Sequence, residues 1–214
     1  MKLISVNLPA RAGTRLNAYD RQTGILKRPV NHAVTLNTLG LEGDFIGDKK
    51  HHGGPDQAVY VYTLEDYAFW EGELGRALEP GTFGDNLTVS GFSSAEVNIG
   101  DRLKIGGVLL EVTDPRIPCG TLAARMEDLE FVKKFRAGAR PGLYCRVLEP
   151  GTVQAGQEVE FIRNPEPIVA VLDLFELFFL KKPPRALLEK ALSAPIGART
   201  RLDLTAQLEK MGPS

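Results

Sequence analysis

The chain has 214 residues, 43% of them hydrophobic and 25% charged, with a formal net charge of −1. This composition is ordinary for a globular protein with one large domain, or with a main domain and a small appendage. The nearly neutral charge indicates neither a nucleic-acid partner nor attraction to a membrane surface, although a local basic patch is compatible with it.

Two cysteines, Cys119 and Cys145, are too few for a disulfide framework. The first residues lack the apolar stretch and the small-residue cleavage site of a secretory signal. The most apolar run, residues 168–180, carries Asp173 and Glu176 and is shorter than the about 20 residues that a membrane span needs. These features predict a soluble cytoplasmic protein in a reducing setting, with no membrane partner.

Many short runs of β-branched or alternating apolar residues, punctuated by Gly and Pro, predict a protein that is mainly β. Strands are predicted at residues 2–8, 33–40, 57–63, 142–151 and 157–162. Residues 101–115 are predicted to form a hairpin, because Gly106 and Gly107 separate two apolar strands.

Helical spacing interrupts this β pattern at two places. Residues 63–78 are predicted to form a helix that Thr63 caps, with apolar residues recurring on one side of it. Those apolar residues are Leu64, Tyr67, Trp70, Leu74 and Leu78. A second helix is predicted from Thr121 to about Arg136, directly after the segment that contains Cys119.

The pattern changes at NPEP, residues 164–167, which is predicted to be a hinge. Three helices are predicted after it, at residues 168–180, 184–192 and 198–211, because Pro-containing pairs separate the helical segments. The chain is therefore predicted to consist of a β-rich domain at residues 1–163 and a small three-helix domain at residues 164–214.

Residues 40–62, GLEGDFIGDKKHHGGPDQAVYVY, hold the densest set of charged residues and glycines. A Gly-rich loop with cationic flanks can bind a phosphate or another anion through backbone N–H groups and positive charge. A solvated polar loop between two strands explains the same composition, so both interpretations stay open. The adjacent His51 and His52 are a weak zinc signature, because neighbouring residues on a strand point to opposite faces.

A second glycine-framed segment, GTFGDNLTVSG at residues 81–91, follows the first predicted helix. Asp85 and Asn86 within it can turn the chain through bonds from side chain to backbone. This structural role is favoured over a ligand contact unless another loop joins the segment.

The segment DPRIPCG, residues 114–120, places Cys119 among chain-breaking residues. Prolines fix the backbone around the thiol, Gly120 permits close approach, and Arg116 supplies a permanent positive charge nearby. A cation or a helix N-terminus beside a cysteine favours the thiolate, which is the nucleophile and the soft-metal ligand. Cys119 is thus either a reactive thiol or an inert buried one, whereas Cys145 in LYCRVL is predicted to be inert.

Five segments occur in an order that resembles one known family. They are GLEGD (residues 40–44), HGGPDQAVYVY (52–62), FGDNLTVSG (83–91), IGDRLKIG (99–106) and PRIPC (115–119). Together they resemble the MOSC domain family, relatives of the C-terminal domain of molybdenum-cofactor sulfurase. The bacterial stand-alone branch linked to resistance to 6-N-hydroxylaminopurine carries a C-terminal 3-alpha domain, which the tail from about residue 167 resembles.

The resemblance implies a compact β-barrel-like fold with a few helices and a C-terminal three-helix domain. It also implies a molybdenum cofactor (molybdopterin), with Cys119 as the catalytic residue that binds the molybdenum through sulfur or carries the cofactor sulfur. The positions that match the family's cofactor-binding motifs are Arg116, Lys50, His52, Gly53, Gly54 and Asn86. Relatives often have a lysine where this chain has Thr121, so Lys49, Lys50 or Arg125 are alternative contacts for the cofactor phosphate. Pyridoxal phosphate binding is also associated with the family.

Three functions are compatible with these residues. The first is reduction of N-hydroxylated bases or hydroxylamines, such as 6-N-hydroxylaminopurine, to amines. The second is a carrier of the cofactor, or of sulfur as a persulfide on Cys119, without substrate turnover. The third is a β-barrel that binds another anionic metabolite, with Cys119 incidental.

The predicted partners of the first function are a small N-hydroxylated substrate and a separate electron-donor reductase. The donor must be separate because the sequence has no iron–sulfur cysteine cluster, no GxGxxG loop after a strand and no flavin signature. A homodimer is also compatible with the sequence. The apolar face of the first tail helix, Leu172, Phe175 and Phe179, is predicted to pack within the protein, and its exposure would indicate an interface.

Overall fold

The structure is a computed structural model, and it describes residues 1–11, 13–16, 22–49, 52–166 and 168–212. The strands are β1 (Lys2–Pro9), β2 (Thr14–Arg15), β3 (Gln22–Thr23), β4 (Lys27–Val30), β5 (Val34–Asn37), β6 (Gly40–Leu41), β7 (Val59–Thr63), β8 (Leu87–Ser90), β9 (Arg102–Ile105), β10 (Val108–Pro115), β11 (Leu143–Glu149), β12 (Gly151–Val153) and β13 (Val159–Ile162). The helices are α1 (Leu64–Leu74), α2 (Gly120–Met126), α3 (Phe131–Gly138), α4 (Val171–Leu177), α5 (Arg185–Ser193) and α6 (Ala198–Lys210).

The main sheet has the strand order β13-β9-β10-β11-β7-β8-β1-β4, and only the β7–β8 pair within it is parallel. Its two ends meet through the first residues of β1. The Leu3 N–H donates to the Gln157 carbonyl at 2.9 Å, and the Val159 N–H donates to the Met1 carbonyl at 3.1 Å. The sheet therefore closes between β13 and the start of β1, and β4 lies at its edge beside the rest of β1. This confirms the predicted fold class, mainly β and barrel-like with helices around the barrel.

Two apolar clusters form the core. The larger fills the barrel with alternating inward residues of the strands, such as Leu103 and Ile105 of β9, and each of these two is fully buried. The smaller is aromatic and joins α1, α3 and α4 to the barrel wall. In it the rings of Trp70 and Phe135 stack with centroids 5.8 Å apart. This aromatic cluster fixes the helices beside the strands that carry the functional site.

Most predicted elements are confirmed, with shorter bounds. The hairpin turns at Gly106, which has a φ of 57°, and Thr63 caps α1 by accepting a hydrogen bond from the Asp66 N–H at 3.1 Å. Helix α1 ends at Leu74 and not at residue 78, because Gly75 takes the left-handed conformation that ends a helix. The predicted strand at residues 33–40 is divided between β5 and β6.

The predicted single helix from Thr121 to about Arg136 was wrong. It is two helices, α2 and α3, because Glu127 adopts a φ of 56° and its N–H caps the end of α2. Helix spacing alone does not reveal such a break, since Glu favours helices and gives no stop signal. Strand β8 was also missed, because the segment that contains it, residues 81–91, was interpreted only as a glycine-framed turn.

The three predicted tail helices are confirmed as α4, α5 and α6. Phe175 of α4 is fully buried, and its ring lies 6.5 Å from that of Phe135 of α3, as expected for a face that packs within the protein. Leu174, Leu188 and Leu204 belong to the same apolar cluster as the barrel interior. The tail therefore shares its core with the barrel, and the division into domains at residues 163 and 164 stays a prediction. Among the described helices, none is both long and apolar enough to cross a membrane.

Candidate functional site

A cavity of about 350 Å³ lies where four parts of the chain converge, and its size suits a small ligand. The described residues that line it come from residues 22–27, residues 44–60, residues 84–86 and the region from β10 to β11. They are Gln22, Thr23, Gly24, Ile25, Lys27, Asp44, Phe45, Ile46, Gly47, Asp48, His52, Gln57, Ala58, Tyr60, Gly84, Asn86, Arg116, Cys119, Gly120, Thr121 and Tyr144. Polar and cationic groups are thus concentrated on a concave surface.

Cys119 lies on the wall of this cavity at the N-cap of α2, in extended conformation. Burial opposes ionisation of the thiol. A hydrogen bond with His52, the positive charge of Arg116 and the Leu122 N–H outweigh burial and lower the pKa of Cys119 to about 6. The thiol is therefore mostly thiolate at neutral pH. Cys145 is fully buried in the barrel, as predicted, and burial raises its pKa, which supports the prediction that it is inert.

Arg116 is 5% exposed and holds a fixed position beside the thiol. Its guanidinium donates a hydrogen bond to the Phe83 carbonyl and lies over the Tyr60 ring, 5.0 Å from the ring centroid. Its Nε is buried without a hydrogen-bond partner, and so is the Oε1 of Gln57 on the same cavity. Buried polar atoms are nearly always paired, so this donor and this acceptor are available to bond to water or to a ligand in the cavity.

A buried ion pair lines another part of the cavity. The Nζ of Lys27 lies 2.6 Å from each carboxylate oxygen of Asp44, and the two side chains are 7% and 9% exposed. Burial lowers the pKa of Lys27, although the charge of Asp44 opposes that change. Asn86 completes the group by donating to Asp44 Oδ2 at 2.8 Å.

The structure brings three of the predicted site residues together, namely Cys119, Arg116 and His52. Asn86 also lines the cavity, but its amide is already bonded to protein. Its Oδ1 accepts from the Tyr60 N–H at 3.0 Å while its Nδ2 binds Asp44. Asn86 therefore fixes the cavity wall.

The two glycines that were predicted to bind the cofactor lie beside the cavity-lining His52 in sequence but are not lining residues themselves. Gly53 and Gly54 follow His52 with φ values of 76° and 86°, and neither is among the described lining residues. Glycine is favoured at position 53 because its φ of 76° lies in the left-handed region, which strains any residue with a Cβ. Lys50 lies outside the described residues.

Sequence reasoning missed Lys27, Tyr60 and Tyr144 as site residues. Lys27 lies in ILKRPV, where a single lysine gives no signal, because only the folded chain places Asp44 opposite it. The tyrosines lie on the adjacent strands β7 and β11, with ring centroids 5.1 Å apart. Their strand pairing was not readable from the sequence.

The described residues of the cavity do not supply a full set of protein ligands for a metal ion. Among the residues that the structure describes, no group of three or more His, Cys, Asp or Glu could hold one. A metal at Cys119 would therefore need its other ligands from a cofactor or solvent.

The fold and the cavity define a class of protein, a closed β-barrel with a cavity whose wall carries an activated thiol and a buried arginine. A profile of the MOSC domain matches residues 48–160, more than half of the chain, so the chain belongs to the MOSC domain family. This confirms the family that the sequence motifs indicated.

The chain is similar to several curated proteins. It is 39% identical to the uncharacterized protein YflK of Bacillus subtilis (strain 168), over 79% of this chain and 76% of that one. It is 32% identical to protein YiiM of Escherichia coli (strain K12), over 69% and 68%. It is also 30% identical to a protein named reductase from Gibberella moniliformis, over 81% of this chain but 32% of that longer protein.

A crystal structure of YiiM from Geobacillus stearothermophilus has the same fold. It superposes with a TM-score of 0.79 over 97% of this chain and 98% of that chain, at 24% identity. Because the match includes nearly the whole chain, the barrel and the three tail helices together are the shared unit.

Proposed function

We propose that the cavity binds the molybdenum cofactor and that the protein reduces N-hydroxylated bases or hydroxylamines, such as 6-N-hydroxylaminopurine, to amines. One observation carries this proposal: a thiolate at neutral pH lies on a ligand-sized cavity beside a buried, partly unpaired arginine. Membership of the MOSC family and the likeness to part of a fungal protein named reductase support it.

The residues of the cavity fit this cofactor. A soft thiolate is a suitable ligand for molybdenum, and Cys119 would supply it. The unpaired Nε of Arg116 and Oε1 of Gln57 offer a donor and an acceptor for the pterin. The bound cofactor would supply the two-electron chemistry at its metal.

The reduction balances as R–NHOH + 2 e⁻ + 2 H⁺ → R–NH₂ + H₂O, so the site must deliver protons. One proton can come from the Lys27–Asp44 pair on the cavity wall, in which burial lowers the pKa of the Lys27 ammonium while the charge of Asp44 opposes that change. The electrons come from a separate reductase in the cytoplasm, as the absence of electron-carrier motifs in the sequence predicts.

A second candidate function uses the same thiol. A Cys119 thiolate can hold a sulfane sulfur as a persulfide, which would make the protein a carrier of sulfur or cofactor. The lowered pKa of Cys119 favours this chemistry as much as metal binding. The two candidates differ in whether substrate is turned over.

The deciding experiment is expression in a host that makes molybdenum cofactor, followed by elemental analysis and an assay of 6-N-hydroxylaminopurine reduction with a chemical reductant. Cys119→Ala is compared with Cys145→Ala, which removes the inert thiol. We expect molybdenum and activity in the wild type and in Cys145→Ala, and neither in Cys119→Ala. Full activity of Cys119→Ala would overturn the proposal. A Cys119 persulfide without molybdenum or turnover would establish the carrier instead.

A further inference from the structure

Two tyrosines lie side by side on the outer face of the barrel wall, where the cavity is. Tyr60 and Tyr144 are direct partners in the antiparallel pairing of β7 with β11, so their side chains point to the same face. Leu143 and Cys145, on either side of Tyr144 in sequence, are fully buried in the barrel interior. Tyr144 therefore points outward, into the cavity that it lines.

The hydroxyl groups of these two tyrosines differ in their hydrogen bonds. The Tyr60 hydroxyl donates to the Pro141 carbonyl at 2.8 Å. The Tyr144 hydroxyl forms no hydrogen bond with any described residue and is not fully buried, so it is open to the cavity. The protein thus leaves one phenol free to donate to a ligand.

The free phenol belongs to the part of the cavity that holds the activated thiol. The rings of Tyr144 and Tyr60 have centroids 5.1 Å apart, and the guanidinium of Arg116 lies 5.0 Å from the Tyr60 centroid. Cys119 lines the same cavity of about 350 Å³. One small ligand in that cavity can therefore contact the thiol and the Tyr144 hydroxyl together.

Tyr144 keeps its proton at neutral pH. Burial raises its pKa and the charge of Arg116 opposes that change, while the charges of Cys119, Asp114 and Asp44 act in the same direction as burial. A departing hydroxide is a strong base, because the pKa of water is about 15.7. It can take the proton of a phenol, and the positive charge of Arg116 stabilises the phenolate that remains.

We propose that Tyr144 donates a hydrogen bond to the N-hydroxyl oxygen of the substrate and gives that oxygen the proton with which it leaves as water. This role rests on the proposed function. Two electrons from the separate reductase enter the N–O bond by way of the bound cofactor, and the bond breaks. The oxygen takes the Tyr144 proton, and the nitrogen takes a second proton from the Lys27–Asp44 pair. The products are the amine and water, and solvent returns a proton to the phenolate.

The first test compares cofactor-loaded wild type, Tyr144→Phe and Tyr67→Phe. Tyr67 is the matched control, because its hydroxyl donates to Asp85 at 2.7 Å and it is not among the described lining residues. The substrates are hydroxylamine and its O-acetyl ester, with a chemical reductant, and the rate without protein is subtracted.

We expect Tyr144→Phe to lower kcat for hydroxylamine about 100-fold, as the loss of a general acid does, with no loss of molybdenum. The ester releases acetate, which leaves without a proton, so its kcat in Tyr144→Phe should stay within about threefold of the wild type. Tyr67→Phe should keep the wild-type rates with both substrates.

The second test needs no turnover and uses the full chain from a host that lacks molybdenum cofactor. Isothermal titration calorimetry compares 6-N-hydroxylaminopurine with adenine, which lacks the hydroxyl. We expect the wild type and Tyr67→Phe to bind the hydroxylated base about fivefold more tightly, as one hydrogen bond allows. Tyr144→Phe should bind the two bases equally.

The proton transfer is overturned if Tyr144→Phe reduces hydroxylamine at the wild-type rate, or if it loses hydroxylamine and ester reduction equally. The contact with the N-hydroxyl group is overturned if all three proteins show the same ratio of affinities. If loaded wild type reduces no hydroxylamine, the proposed function fails, and the proton transfer fails with it. A preference for the hydroxylated base that only Tyr144→Phe loses would still establish the contact.

Discussion

The Nζ of Lys27 lies 2.6 Å from both carboxylate oxygens of Asp44, and water reaches neither side chain to a useful extent. The pair joins β4 to the loop after β6, and both segments line the cavity. Desolvation of two charges is costly, so such a pair contributes chiefly by fixing geometry. Removing one partner leaves the other charge buried and uncompensated.

Lys27→Met is expected to destabilise the protein by about 3–5 kcal/mol, since it leaves the Asp44 carboxylate unpaired. The measurement is urea unfolding at pH 7. Lys27→Met combined with Asp44→Asn should recover most of the loss, because neither buried charge remains. If the double variant loses the sum of the two single losses, the two groups are not coupled.

The thiolate of Cys119 can be titrated by alkylation. Iodoacetamide reacts with the thiolate, so the rate should reach half its maximum near pH 6 and level off above it, in line with a pKa of about 6. His52→Ala should move that midpoint upward by about one pH unit or more, because the hydrogen bond to the sulfur is lost. Peptide mass spectrometry identifies the alkylated residue.

Cys145→Ala is the matched control for this titration and should leave the profile unchanged, since Cys145 is fully buried. A midpoint near pH 9 in the wild type, or alkylation of folded Cys119→Ala, would contradict the assignment of the activated thiol.

Asp114 gives the stability of the protein a pH dependence. Burial, and to a smaller extent the charge of Asp56, raise its pKa to about 7, although Thr200, Gly197 and Arg146 favour the charged form. A raised folded-state pKa stabilises the protein below the unfolded value near 3.8, and that stability is lost as the pH rises to about 7.

Replacing Asp114 with Asn isolates this effect. We expect the free energy of unfolding of the wild type, relative to Asp114→Asn, to fall by about 1.4 kcal/mol per pH unit between pH 4.5 and 6.5, and to be constant above pH 8. Urea unfolding at several pH values measures it. A difference that stays constant from pH 4.5 to 6.5 would mean that Asp114 is already ionised in the folded protein over this range.

Gly24 is required because a side chain there would meet a steric clash, and not because of its backbone conformation. Its φ is not in the left-handed region, but a Cβ there would overlap with the Phe45 carbonyl oxygen across the cavity wall. Gly24→Ala should therefore cost about 1–3 kcal/mol and weaken ligand binding. Gly72→Ala is the control, because a Cβ in that position of α1 meets nothing within 4 Å, and it should stabilise by about 0.5–1 kcal/mol. Thermal unfolding compares the two.

Local order along the chain was sufficient to predict the fold class, most strands and the three tail helices. The alternation of apolar residues and turn-forming pairs such as Gly106-Gly107 both act over only a few residues. The sequence alone therefore reveals them. The rigid frame of Cys119 is equally local, because Pro118 and Gly120 constrain its own backbone. The break at Glu127 was not predictable in this way, since the residue itself favours a helix.

By itself, the sequence determined the strand pattern, the family motifs and the candidate thiol, because each depends on the residues of one short segment. Only the tertiary structure decided what surrounds that thiol. The barrel places His52 and Arg116 at the sulfur and brings Asp44 to Lys27. These groups lie far apart in sequence, and their effects depend on distance and burial, which closure of the β-sheet sets.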